Sequence, residues 1–138
     1  MNSVFSRPEL DYLNAQHLGR LATVRADGSV QNNPVGFFID GATIVIGGRA
    51  LAGTHKFANV RHNGYVSLVV DDLASTDPWA VRGIEIRGRA VTEEDVDPPV
   101  PYMSRDLIRI HPERIVAWGL GEGDGMNGRN VNIDRTAS

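Results

Sequence analysis

The chain begins with a helical spacing and then changes period. In Arg7-Pro8-Glu9-Leu10-Asp11-Tyr12-Leu13-Asn14-Ala15, Leu10 and Leu13 stand three apart behind Ser6, with Pro8 in the first turn. An N-cap residue, an early proline and that spacing predict a short amphipathic helix that lids another layer. From Gly19 the pattern reads as strand: Gly19 to Arg25, a turn at Ala26-Asp27-Gly28-Ser29, then Val30 to Ile39. A second Asp-Gly pair, Asp40-Gly41, leads into Ala42 to Ile46, and Asp-Gly between β-like runs is a strong hairpin signal.

Gly47 to Gly53 is too rich in glycine and alanine for a strand. Thr54 then caps a stretch in which Phe57 and Val60 are three apart and Asn63-Gly64 supplies a stop, which predicts a helix of about three turns. Tyr65 to Val70 reads as a buried strand ended by Asp71-Asp72, and Leu73 to Trp79 as a loop. Val81 to Val91 alternates as a further strand, and acidic, proline-rich Thr92 to Pro101 reads as a loop. Leu107–Ile110 and Ile115–Trp118 are expected as short strands about a turn at His111-Pro112. Six or seven antiparallel strands with one inserted helix predict a mainly β fold, a small barrel that closes to remove exposed edges. The division expected is one domain over 1–118 and a Gly/Asn-rich tail over 119–138, mobile or docked onto a partner.

Composition narrows the function classes. At 138 residues there is room for one ordinary domain and none for separate cofactor and substrate domains. The absence of cysteine excludes disulfide scaffolds, thiol nucleophiles and iron–sulfur clusters. A net charge of −3 and scattered arginines argue against nucleic-acid binding, which needs a concentrated basic face. No apolar run reaches the roughly 20 residues that span a bilayer. The N-terminus lacks the pattern of an export signal, so a soluble, cytoplasmic protein is expected.

The chemistry-bearing residues are few. His17, His55, His62 and His111 have no metal-ligand spacing, so no metal site is expected. No serine sits in a nucleophile elbow, and no catalytic side chain stands out. Gly123-Asp124-Gly125-Met126-Asn127-Gly128 matches G-x-G-x-x-G literally, but a dinucleotide fingerprint opens a helix within a βαβ unit and only ten residues follow this one. It reads as flexible tail.

Of the 14 basic residues a single one is lysine, Lys56. It falls in the first turn of the second predicted helix, where the helix dipole disfavours a cation. A bound anion reverses that penalty, because backbone N–H groups, the Thr54 hydroxyl, Lys56 and Arg49 then converge on it. Asn59 lies on the same helix face, and Gly47, Gly48 and Gly53 allow close backbone approach. An exposed lysine beside a loop fits the spacing equally well. Gln31-Asn32-Asn33-Pro34 places a proline and amides inside a strand, the mark of an edge or bulge, or of backbone turned towards a flat polar ligand. Tyr102, Trp79 and Trp118 are candidates to stack on such a ring, or are core or interface residues.

The order of these pieces resembles a known family. Gly19-Arg20-Leu21-Ala22-Thr23-Val24 with Asp27-Gly28, Pro34-Val35-Gly36-Phe37, and Thr54-His55-Lys56-Phe57-Ala58-Asn59-Val60-Arg61 are followed by Leu68-Val69-Val70-Asp71-Asp72. Asp77-Pro78-Trp79, Arg82 to Gly88 and Ile110 to Gly119 complete the series. Together they resemble the flavin and deazaflavin oxidoreductases related to pyridoxamine 5′-phosphate oxidase, whose fold is the FMN-binding split β-barrel. The last two pieces are most similar to the actinobacterial branch that uses coenzyme F420 and includes polyketide reductases of tetracycline pathways.

The resemblance implies that Lys56 and Asn59 hold the cofactor phosphate, assisted by Thr54, His55 and Arg49. It also implies that Thr23, Pro34 and Val35 line the ring, and that Trp79 or Trp118 belongs to the site of a second subunit in a homodimer. The implied function is hydride transfer between reduced F420 and a small conjugated organic substrate. FMN on the same fold, as a flavin reductase or oxidase, and a non-catalytic flavin- or haem-binding protein are the alternatives. The chain lacks the C-terminal Arg-x-His clamp of true pyridoxamine phosphate oxidases, so that reaction is not expected.

Overall fold

The structure is a computed structural model that describes residues 4–121 and 125–131. Helix α1 spans Arg7–Ala15, strand β1 Leu18–Val24, β2 Val30–Asp40 and β3 Thr43–Ile46. A 3-10 turn at Leu51–Gly53 precedes α2 (His55–His62), followed by β4 (Tyr65–Thr76), β5 (Trp79–Glu93), β6 (Leu107–Trp118) and β7 (Met126–Asn130). The strands form one antiparallel sheet in the order β3-β2-β1-β4-β5-β6-β7, and β3 also pairs with β6. That extra pairing closes six of the seven strands into the small barrel expected from the alternation.

Closure is complete at one end only. The first half of β6 pairs with β3 through Ile108 to Ile110, whereas its second half pairs with β7 through Arg114 to Trp118. Likewise β2 pairs with β3 from Phe37 onward, and its first half, Val30 to Gly36, pairs with β1. The barrel is therefore split between the first half of β2 and the second half of β6. Arg109 on β6 clamps the closed end, donating to Asp40 and Thr43 at 2.8 Å each and to Glu93 at 2.9 and 3.2 Å. Inside, Leu21, Ile44, Leu68, Ile84, Ile86, Ile110 and Ile115 are buried in one core, and α2 adds Phe57 and Val60 to it. Each buried aliphatic of this size contributes about 1.5–3 kcal/mol relative to exposure.

Several local expectations need correction. His111-Pro112 is no turn: β6 runs through it, and a bulge at Glu113 of β6, opposite Arg87 and Gly88, accommodates the proline. The close approach there leaves no room for a side chain at Gly88, whose Cβ would meet the His111 carbonyl at 2.1 Å. Asp71-Asp72 does not end β4, and Leu73 to Trp79 is no loop; the β4–β5 ladder continues to Thr76 opposite Trp79. This arm projects with both faces largely open to solvent, so no alternation of apolar residues marked it. The second helix has eight residues and stops at His62, with an extended C-cap at Asn63. Gly64 serves close contact with β5, since its carbonyl accepts from Ala90 N at 2.7 Å and an added Cβ would lie 2.9 Å from the Ala90 oxygen.

The segment around Gly125 is not all flexible tail, because Met126–Asn130 is β7; residues 122–124 lie outside the described residues. Arg129 of β7 reaches α1 and holds the buried Glu9 with two hydrogen bonds, at 2.6 and 2.7 Å. Burial pushes the Glu9 carboxyl up, but the hydrogen bonds and charge of Arg129 and the Ser6 amide outweigh it and leave the group below its ordinary value. Ser6 caps α1 as expected, in a capping box with Glu9. No helix among the described residues is long and apolar enough to cross a membrane.

Candidate functional site

The N-terminus of α2 is built by its cap. The Thr54 hydroxyl donates to the Leu51 carbonyl at 2.6 Å and accepts from Phe57 N at 3.3 Å, and its own carbonyl accepts from Ala58 N. The amides of His55 and Lys56 have no partner among the described residues, as first-turn donors of a helix usually do not. Lys56 is half-buried, and desolvation alone pushes its ammonium below the ordinary lysine value. Several cations of the barrel are matched with carboxylates, Arg20 with Asp71, Arg82 with Asp72 and Arg109 with Glu93, while Arg89 and Arg114 bond the neutral groups of Tyr65 and Asn130. Lys56 and Arg49 have no such match among the described residues. A partly desolvated cation beside two unclaimed amides fits a phosphate in charge and donor geometry.

Asn59, the asparagine of the Lys-x-x-Asn stretch, turns its side chain inward. It is buried, and its amide nitrogen donates to Thr23 Oγ1 at 3.0 Å and to Gln31 Oε1 at 3.1 Å. Gln31 in turn donates to Asn33 at 2.7 Å. This chain fixes α2 against β1 and the unpaired half of β2, and so fixes Lys56 one turn away. The sequence marked Gln31 only as one of the amides beside Pro34, and its partner depends on the register that sets it opposite Thr23.

On β2, Val35 points into the core, as does Thr23 on β1, so their side chains face away from the outer surface. Pro34 faces outward on the half of β2 that has β1 on one side only, which is where a residue without N–H is tolerated. Of the three loop glycines, Gly47 packs against Met103, whose sulfur would lie 2.6 Å from an added Cβ and would have to shift. Gly48 and Gly53 have no contact so close. Arg49 turns towards Tyr102, with its guanidinium 5.5 Å from the ring centre. His55 is exposed beside the cap.

Trp79 lies at the tip of the β4–β5 arm and is 70% exposed. Gly64, just past α2, meets β5 at Ala90, and Trp79 lies eleven residues from it, about 36 Å along the strand at about 3.3 Å per residue. Within one copy it cannot join Lys56. Trp118 is half-buried on β6, opposite Met126. Among the described residues no group of three or more His, Asp or Glu side chains is placed to hold a metal.

Two cavities flank this region. One, of about 600 Å³, lies on the outer sheet face between Val24, Val30, Tyr65, Ser67, Arg87 and Arg114. The other, of about 550 Å³, lies between the end of α1, the outward face of β2 around Gly36 and Phe38, and Tyr102.

Comparison with known proteins agrees with this architecture. The family model described as pyridoxamine 5′-phosphate oxidase matches residues 8–127. A curated relative from Streptomyces rimosus, a 5a,11a-dehydrotetracycline/5a,11a-dehydrooxytetracycline reductase, is 43% identical over 136 residues, covering 94% of this chain and 95% of its own. An F420H(2)-dependent biliverdin reductase from Mycobacterium tuberculosis is 29% identical over 129 residues, covering 83% and 86%. A solved structure described as an F420 reductase superposes with a TM-score of 0.63 at 23% identity, covering 80% of this chain and 98% of that one. With the closed-and-split sheet and the family match over most of its length, the chain belongs to the pyridoxamine 5′-phosphate oxidase family of split β-barrels.

Proposed function

We propose that this chain is an oxidoreductase that holds the deazaflavin coenzyme F420 by its phosphate at the N-terminus of α2 and reduces a conjugated organic substrate. One observation carries the reading: Lys56, half-buried in the first helical turn, stands beside two unclaimed amides with no carboxylate to match it among the described residues. Reductase relatives support the reaction class, and the F420 named in one of them supports the deazaflavin over FMN. The phosphate is common to both cofactors, so Lys56 does not choose between them.

When bound, the cofactor supplies the hydride. Lys56, the His55 and Lys56 amides and the Thr54 cap bind and orient its phosphate. Asn59, held by Thr23 and Gln31, acts by positioning the helix. Pro34, which has no N–H, and the backbone beside Val35 give the ring a surface. No protein nucleophile is required, and exclusion of water with correct placement is the protein's main contribution.

The functional unit in this reading is a homodimer with the cofactor between copies. The β4–β5 arm carries exposed Leu73, Trp79 and Val81, too far from α2 of the same copy to reach its site. The arm of a second copy brings Trp79 to the ring. Titration of the purified protein with F420 and with FMN, followed by fluorescence, tests the reading. Saturable binding of F420 tighter than of FMN, by a species that sediments as a dimer, is expected; binding of neither overturns it.

A further inference from the structure

The cavity beside Tyr102 carries an inference about substrate. Its floor is the outward face of β2, where Gly36 and Phe38 continue the row begun by Pro34. Above Gly36 the space is open, with no atom within 4 Å of where a Cβ would stand. One wall is the end of α1, with Asn14, Gln16 and His17; the other is Tyr102 with Met103. The cavity thus adjoins the proposed cofactor site twice, through Pro34 on β2 and through Arg49, which stacks on Tyr102.

Its chemistry is selective. Two aromatic rings, Phe38 and Tyr102, offer faces for stacking, and the glycine between Pro34 and Phe38 leaves room for a flat body. Asn14, Gln16 and His17 offer donors and acceptors along one edge, while among the described residues no carboxylate, lysine or arginine lines the space. A volume of about 550 Å³ is that of a site for a multi-ring ligand. We propose that this cavity is the substrate site. It takes a planar, fused-ring molecule of low net charge, with hydroxyl and carbonyl groups along one edge set against Asn14, Gln16 and His17. The inference rests on the proposed function in treating the cavity as the substrate half of that site.

Tetracycline, four fused rings with oxygens along one edge, serves as the probe, its fluorescence followed in EDTA without turnover. Saturable binding to the wild-type protein is expected, weakened at least fivefold in both His17→Ala and Tyr102→Ala and changed less than twofold in Lys56→Ala. His17 and Tyr102 are exposed, so these variants keep the fold, which thermal melts check. Absence of saturable binding by the wild type, binding that the cavity variants leave unchanged, or binding lost in Lys56→Ala overturns the inference. F420 titration of the same variants separates the two proposals: loss of tetracycline binding with F420 binding intact concerns the cavity alone, and loss of F420 binding in the wild type concerns the cofactor reading.

Discussion

The side chain of Asn59, on α2, donates a 3.0 Å hydrogen bond to the hydroxyl of Thr23, on β1, inside the barrel. The bond joins residues far apart in sequence and sets the helix that carries Lys56. Asn59→Leu removes the donor and leaves the buried Thr23 and the half-buried Gln31 without it. Stability is expected to fall by about 1–3 kcal/mol, the cost of orphaned buried polar groups. Urea unfolding checks this, and a midpoint equal to wild type contradicts the positioning role.

Lys56 has an opposite signature. Its folded value is depressed by desolvation, so the charged form costs folding free energy at every pH below that value. Lys56→Met is therefore expected to raise the melting temperature slightly while weakening F420 binding roughly ten- to hundredfold, about 1.5–3 kcal/mol. Wild-type affinity should decline as pH rises through the Lys56 value, which lies below that of an ordinary lysine. Titrations from neutral to alkaline pH show whether it does.

Glu9 and Arg129 tie the first helix to the last strand. The Glu9 value is lowered in the folded state, so its contribution is full above the ordinary 4.5 and disappears as pH falls through the lower folded value. Arg129→Ala should cost about 1–3 kcal/mol near neutral pH, because it leaves a buried carboxylate with fewer partners. The difference from wild type should shrink in acid, and denaturation at pH 7 and at pH 3 measures it.

Trp79, exposed at the arm tip, contributes little to the fold of one copy. Trp79→Ala should leave the melting temperature of dilute protein within a degree or two of wild type. F420 binding should weaken at least threefold, with a shift towards monomer in sedimentation. Unchanged affinity would separate the arm from the site.

Much of the fold was legible in the chain because alternation and Asp-Gly turns depend on local chemistry. The first three strands, the Ser6 and Thr54 caps and Lys56 in a first turn all follow from it. The β4–β5 arm was hidden because neither face is steadily buried, and β6 looked broken because it carries Pro112 and its own bulge at Glu113, which the ladder with β5 absorbs. Gln31 and the cavity beside Tyr102 required knowledge of register and of which loop packs on β2. Thr23, Val35 and Asn59 each turn their side chains inward from the barrel wall. Sequence spacing alone does not contain that direction.

The phosphate anchor at Lys56 is the centre of the account, and a binding cycle tests it most directly. Affinities of the wild-type protein and Lys56→Ala are measured for F420 and for its deazaflavin core lacking the phosphate. The account predicts that the wild type prefers F420 at least tenfold and that Lys56→Ala binds both alike. Equal affinity of the wild type for the two, or a preference that survives in Lys56→Ala, would contradict it.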